Sequence, residues 1–274
     1  MAHSREKHMS DHHQFIYPRY PHLPAPDWQD IHVRLIEQGF LLPATGDQVP
    51  HEALLDLAFR LVKSTGCQFL YDEHWNTPAD VLAGYATAGI LPAGLPLNPL
   101  LSVREVLALL GERHINAGLG YDLDMNDECK WSSPIHCLGP AAVACLSPVI
   151  RRVFDETPRD FNLCLFVLRQ FTIPVGENFR EPSLPGTEEP LEDIPPFGSP
   201  MKFIELAYED PAIEWVNPKD NHAHHILDLD WHFGFGMGTH MIRTQGLDQK
   251  STEMLTARIS ELVGQPMACH HRHL

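Results

Sequence analysis

Apolar residues in the first half of the chain recur at the three- and four-residue spacing of amphipathic helices. The clearest example is HEALLDLAFRLVKSTG, residues 51–66, in which Leu54, Ala58 and Leu61 share one stripe and Gly66 marks the end. We expect this helix and others in the first half to begin at local capping signals. These signals are Asp27, Pro50, Thr77 with Pro78, and the capping box formed by Ser102 and Glu105. Residues 27–155 are therefore predicted to be the helical part of the protein.

The second half contains short runs of aromatic and branched residues, which are typical of strands. The run NLCLFVLRQFTI (162–173) predicts a buried strand, and MKFIELAY (201–208), AIEWV (212–216) and HHILDLDWHFGFG (224–236) predict three more. A last helix is predicted from Ser251 to Val263, where Gly264 follows the apolar stripe. The expected fold class is α+β, with an N-terminal helical half, a largely antiparallel C-terminal sheet and a closing helix.

The length of 274 residues is sufficient for one large domain. We predict a single α+β domain over residues 27–274, in which residues 156–274 are the sheet part. Residues 1–26 are polar and rich in histidine and proline, and this composition predicts a flexible N-terminal arm. Phe15, Ile16, Tyr17 and Tyr20 are the side chains that could dock the arm to the domain.

The charge balance is acidic and limits the classes of partner. Lys and Arg number 20 against 36 Asp and Glu, which gives a net charge of −16 with neutral histidines. A field of this sign repels nucleic acid phosphates and anionic lipid surfaces and attracts basic partners. The densest basic site is the pair Arg151-Arg152. We therefore expect a basic protein partner, with neither nucleic acid binding nor membrane binding.

The cysteines and the N-terminal segment predict a reducing compartment. Six cysteines are present without a CxxC pair, so the usual zinc-ribbon and redox spacings are missing from the sequence. Cys145 and Cys164 lie in apolar runs and are interpreted as buried free thiols. The N-terminal segment has no apolar core of the signal-peptide type. We expect a cytoplasmic protein that needs no cofactor.

A histidine- and aspartate-rich stretch, HAHHILDLDWHFGFGMGTH (222–240), is the strongest candidate for chemistry. If it were a strand, alternate side chains would share one face, and imidazoles and carboxylates on that face could hold a metal ion. The candidate ligands are His222, His224, Asp228, Asp230 and His232. The competing interpretation is a half-exposed strand with a solvated polar face. A metal-dependent hydrolase is thus the alternative function.

Other catalytic or ligand-binding patterns are incomplete. The acidic segment that begins at Asp122 and Asp124 starts like a calcium loop, but Asp127 and Ser133 occupy the positions that require glycine and glutamate. The sequence has no GxSxG nucleophile motif, and the adjacent His136 and Cys137 do not by themselves form a catalytic pair. The sequence patterns leave open whether the protein is an enzyme, and they favour a non-catalytic protein.

The acids cluster in segments that also contain aromatic residues, a combination found in protein interfaces that are steered by charge. One acidic segment lies at residues 122–128, and another lies in the proline-rich loop over residues 176–200. The alternative is an ordinary solvated surface whose aromatic residues belong to the core. The predicted partner-binding residues are Asp122, Asp124, Asp127, Glu128, Glu188, Glu189, Glu192, Asp193 and Phe197.

The overall character, together with the segments LYDEHWNTPADVLAGY (70–85) and EPLEDIPPFGSP (189–200), resembles the immunity proteins of bacterial secreted-toxin systems. The resemblance includes no diagnostic motif, so no functional residue is carried over from that class. It implies a cytosolic antitoxin that occludes the active site of a toxin effector, which could be a nuclease, without any chemistry of its own.

Overall fold

The computed structural model describes residues 12–92, 94–95, 97–115 and 129–273. Its helices are α1 (Trp28–Glu37), α2 (His51–Thr65), α3 (Pro78–Thr87), α4 (Val103–Glu112), α5 (Pro140–Val143), α6 (Pro148–Glu156), α7 (Pro200–Glu209) and α8 (Gln249–Val263). Its strands are β1 (His12–Pro18), β2 (Cys129–Ser132), β3 (His136–Cys137), β4 (Asn162–Thr172), β5 (Glu214–Val216), β6 (Ala223–His225), β7 (Gly238–Gln245) and β8 (Met267–His273). The α+β class is confirmed.

Three of the predicted helix starts are confirmed by their capping contacts. The Asp27 carboxylate accepts hydrogen bonds from the first backbone N–H groups of α1. Thr77 and Ser102 each form a reciprocal capping box, with Asp80 and Glu105 respectively. These side chains satisfy donors that an isolated helix start leaves unpaired, which is why the signals could be recognised locally.

The main sheet is antiparallel in every described pairing and has the strand order β2-β4-β7-β1-β8, with β3 also paired to β4. The predicted strand at residues 162–173 is β4, which is confirmed as buried over most of its length. A separate two-stranded ribbon joins β5 to β6. Strands β2 and β3 lie within the part that was predicted to be helical, so helices and strands are less segregated along the chain than expected.

The prediction of a flexible arm is wrong for residues 12–18. Strand β1 lies inside the sheet between β7 and β8, with Phe15 opposite Arg243 on one side and His270 on the other. Phe15, Ile16 and Tyr17 are buried. The polar composition around this run concealed it, because its pairing partners lie more than two hundred residues further along the sequence.

Two further strand predictions are wrong. The run MKFIELAY forms helix α7, because Ser199 caps the helix start, Pro200 occupies the first turn, and Phe203, Ile204 and Ala207 share a buried stripe. In the run HHILDLDWHFGFG, only its first two residues belong to β6, and a 3-10 turn follows at Ile226–Asp228. Of AIEWV, only the last three residues form a strand.

Both faces of the sheet are covered, which defines the core. One face, with Phe15, Phe166 and Met241, packs against α7 and the segments around Trp215 and Trp231. The other face packs against α1, α5 and α8. A third apolar cluster joins α2, α3 and α4. Within the described residues, none of the helices combines the length and apolar character needed to cross a membrane.

Candidate functional site

Negative charge is concentrated in residues 176–216, which we call the acidic segment. It contains ten Asp and Glu residues against Arg180 and Lys202, a net charge of −8. Half of the chain's net charge of −16 therefore lies in 41 of its 274 residues. The segment comprises the proline-rich loop, helix α7 and strand β5. A charge density of this kind produces a strong local potential.

The proline-rich loop is anchored to the body of the protein by paired backbone hydrogen bonds. Ser183 N–H donates to the Asp230 carbonyl over 2.8 Å, and Asp230 N–H donates back over 2.9 Å. Leu191 N–H donates to the Pro182 carbonyl over 2.8 Å. Ile194 is fully buried in the core, and the Trp215 indole N–H donates to the Pro195 carbonyl over 3.0 Å. The loop is thus held on both sides of its acidic tip, residues 188–193.

The structure places four of the predicted partner-binding acids together on this tip. Glu188, Glu189, Glu192 and Asp193 are all exposed. Phe197 differs from these exposed acids, because its ring is partly buried, stacks on Phe203 with centroids 5.0 Å apart and packs against the core. The other four predicted acids, Asp122, Asp124, Asp127 and Glu128, lie outside the described residues.

Helix α7 adds an exposed face that sequence reasoning missed, because the run was interpreted as a strand. Met201 and Tyr208 are 54% and 44% exposed, and both are flanked by exposed acids on the same helix, Glu205 and Glu209. Residues at positions 201, 205 and 208 follow the helical repeat and so share one face. A helical interpretation of MKFIELAY would have identified this face. Large apolar side chains of this kind are suited to anchor a partner.

The candidate metal ligands do not converge. The Asp228 carboxylate instead accepts hydrogen bonds from Arg19, from the Tyr20 hydroxyl and from the His225 backbone N–H. The Asp230 backbone forms the bridge to the loop, and its carboxylate accepts from the His232 backbone N–H. No group of three or more His, Cys, Asp or Glu side chains is arranged to hold a metal ion in the part of the chain that the structure describes.

Two of those histidines do meet, in a packing role. His222 and His224 have ring centroids 4.6 Å apart, and His224 also stacks on Trp215 at 5.7 Å. Burial lowers the pKa of His224 below its ordinary value, and the neighbouring His222 lowers it further. His224 therefore packs as a neutral ring against the core. The strand geometry that was expected to align it with Asp228 and His232 is missing, because the backbone turns at Ile226–Asp228.

A second polar site, which no local pattern in the sequence suggests, lies between the helical cluster and the sheet. Its central feature is an ion pair between Glu52 on α2 and Arg243 on β7, residues that are 191 positions apart. The Arg243 side chain is only 5% exposed. Only the tertiary fold brings the two residues together.

No protein family model, no curated protein and no solved structure matches this chain.

Proposed function

We propose that this chain is a non-catalytic inhibitory binding protein, an immunity protein that neutralises a basic toxin effector in the cytoplasm by covering its active site. The observation that carries the proposal is the acidic segment, which concentrates half of the net charge on an anchored loop and an adjacent helix. An enzyme that acts on phosphates, such as a nuclease, presents a basic active site that this surface complements.

The backbone anchors support binding because they reduce the entropy that association would otherwise cost. The hydrogen bonds between Ser183 and Asp230 and the burial of Ile194 fix the path of the loop before any partner arrives. A surface that is already ordered loses less conformational freedom on binding. The four tip acids are therefore presented in a defined arrangement rather than on a free coil.

The acidic tip and the α7 face have complementary tasks in this proposal. Exposed charges of one sign accelerate the encounter with an oppositely charged protein and contribute less to the final affinity. Tyr208 and Met201 supply apolar area that is removed from water on contact, which is the usual source of affinity at the centre of an interface. Association should thus be fast and strongly weakened by salt.

Reversal of the charge at the loop tip tests the proposal directly. The partner to test is a basic protein encoded by an adjacent gene. The combined variant Glu188→Lys, Glu189→Lys, Glu192→Lys and Asp193→Lys should weaken binding to it by at least about tenfold, because attraction becomes repulsion. Isothermal titration calorimetry at two salt concentrations measures the affinity and its salt dependence. Rescue of cells that express the toxin is the accompanying functional assay.

A matched control variant separates the effect of charge at the loop tip from the effect of the total net charge. Glu37, Glu156, Glu253 and Glu261 are exposed and lie on other helices. Their combined replacement by lysine changes the total charge equally, yet it should leave the affinity within about threefold, because surface charges separated by more than a Debye length are screened. Equal loss of binding in both variants, or no complex with any basic protein encoded by an adjacent gene, would refute the proposal.

The apolar anchor on α7 is tested by a separate substitution. Tyr208→Ala should reduce affinity for the same partner by about tenfold or more, as truncation of a central aromatic residue commonly does. Tyr71→Ala is the control, because Tyr71 is 64% exposed but lies outside the acidic segment. Undiminished binding by the Tyr208 variant would restrict the interface to the loop tip and remove α7 from the proposal.

A further inference from the structure

A cavity of about 200 Å³ lies where helices α2 and α4 meet strands β4 and β7. Both layers contribute apolar walls, among them Val49, Leu107, Ile135 and Phe166. Cavities between layers of secondary structure that combine apolar walls with a few polar groups are the usual form of a small-molecule site. This cavity is separate from the acidic segment, so a ligand-binding role for it is independent of the proposed function.

The polar groups of the cavity leave one acceptor unsatisfied. Glu52 contacts the Arg243 guanidinium through Oε1. Its second oxygen, Oε2, is shielded from solvent and accepts no hydrogen bond from any described residue. Because a buried carboxylate oxygen without a donor is unfavourable, this atom marks where a ligand N–H group would be bound.

Among the described residues that line the cavity, there are three guanidinium groups and two carboxylates. Asp56 pairs with Arg60 over 2.7 Å, and Glu52 pairs with Arg243. Arg104 also lines the cavity, is exposed, and forms no ion pair with any described carboxylate. In a chain of net charge −16, the described side chains that line this cavity sum to +1, and a local environment of this sign favours one anionic group.

We infer that this cavity binds a small α-amino acid with an apolar side chain. The ligand's ammonium group donates to Glu52 Oε2, its carboxylate faces Arg104, and its side chain contacts the apolar walls. A zwitterion satisfies both charged groups at once, and it leaves the two internal ion pairs intact. The small volume favours a single amino acid over a peptide or a nucleotide.

Calorimetry and thermal shift on the full chain test the inference with L-valine, L-leucine, L-isoleucine, L-methionine and L-phenylalanine. At least one should bind with a Kd of about 1 mM or tighter. For L-leucine, three analogues each remove one recognised feature: glycine lacks the apolar side chain, 3-methylbutylamine lacks the carboxylate, and 4-methylpentanoate lacks the ammonium. Each should bind at least about tenfold more weakly than the amino acid.

Variants of the two recognition residues complete the test. Arg104→Met should weaken amino acid binding by about tenfold or more, and Glu52→Gln should do the same. Glu112→Gln and Arg113→Met are the controls, because both residues are exposed at the end of the same helix α4 and lie outside the cavity. Circular dichroism verifies folding of Glu52→Gln, whose ion pair is buried, whereas Arg104 is exposed and its variant should fold normally.

Absence of binding by all five amino acids at about 10 mM would overturn the inference. The inference would also be overturned if the Arg104→Met variant bound the amino acid with the affinity of the unaltered protein. Preferential binding of 4-methylpentanoate or of 3-methylbutylamine would also overturn it, because the ligand would then be a simple acid or a simple amine. Loss of partner binding in the experiments on the acidic segment would leave this result unaffected, so the two proposals fail independently.

Discussion

Lowering the pH from about 7.5 to about 5 is expected to reduce the free energy of unfolding by at least about 4 kcal/mol, because His136 and His270 are buried and must stay neutral in the fold. Burial lowers the pKa of His136 to about 4 and that of His270 to about 3. In the unfolded chain both titrate near the ordinary histidine value of about 6.5. The unfolded state therefore binds more protons below that pH, and stability is present above it and lost as the pH falls.

The hydrogen bonds of these histidines explain why the neutral form is required. His136 Nδ1 lies 2.8 Å from the Leu42 carbonyl, which can only accept, so the ring proton is on Nδ1. Its Nε2 lies 2.9 Å from Nε2 of His32 and must then accept from it. A second proton on His136 would set two N–H groups against each other. His270 donates from Nε2 to the Pro174 carbonyl and stacks on the buried Phe15 ring.

Urea unfolding followed by tryptophan fluorescence at several pH values measures this effect. Each buried histidine contributes about 2 kcal/mol to the loss by about pH 5. His270→Gln retains a donor near the position of Nε2 and cannot titrate, so it should reduce the loss of stability at about pH 5 by about 2 kcal/mol. His74→Gln, at an exposed position, should leave it unchanged. Stability that rises as the pH falls from about 6.5 to about 5 would contradict this account.

The second large effect is expected at Gly236, whose replacement by alanine should lower the free energy of unfolding by about 3 kcal/mol. A Cβ atom at this position would lie 2.2 Å from His270 Nδ1 and 2.5 Å from the Tyr17 hydroxyl. Both side chains are buried, and the Tyr17 hydroxyl is further fixed by donating to the Phe235 carbonyl over 3.2 Å. Neither ring can move aside without disturbing the packing around β1 and β8.

Gly238, in the same GFGMG run, is the matched control for this prediction. A Cβ atom there would have its nearest neighbour at 4.0 Å, which is ordinary contact. Gly238→Ala should therefore be neutral or stabilising by about 0.5 kcal/mol, because alanine restricts the unfolded chain. The urea-unfolding midpoints of the two variants, compared with that of the unaltered protein, measure both changes in stability. Similar midpoints would show that the close approach at Gly236 is relieved by a small backbone shift.

Packing around these residues also explains two of the three glycines in the GFGMG run. The structure shows that Gly234 and Gly236 permit close approaches, to the Asn178 carbonyl and to the ring of His270. Gly234 and Gly236 are thus required by packing between segments that are distant in sequence, which no local pattern could reveal.

Local signals predicted the helices well because their causes are local. The carboxylate of Asp27, the capping boxes of Thr77 and Ser102, and the left-handed Gly66 each act within one turn of the chain. The strand at residues 162–173 was also recognisable, because a strand in the middle of a sheet is apolar on both faces. Helix α7 was missed because its buried positions Phe203 and Ile204 are also common in strands.

The candidate sites depended far more on tertiary structure. The sequence located the acids of the loop tip, but it could not distinguish exposed Glu188 from core-packed Phe197. It also suggested that Asp228 and His232 would share a face, which the turn after β6 prevents. The cavity beside Glu52 and Arg243 had no sequence signal at all.

The sequence by itself determined the acidic charge, the α+β class, the starts of helices α1 to α4 and the concentration of acids in the proline-rich loop. These properties depend on composition or on contacts within a few residues. The tertiary structure decided that β1 and β8 lie side by side within the sheet, that His136 and His270 are buried, and that Glu52 meets Arg243. Strand pairing and burial arise from contacts between distant segments, whose free energy is realised only when the whole sheet forms.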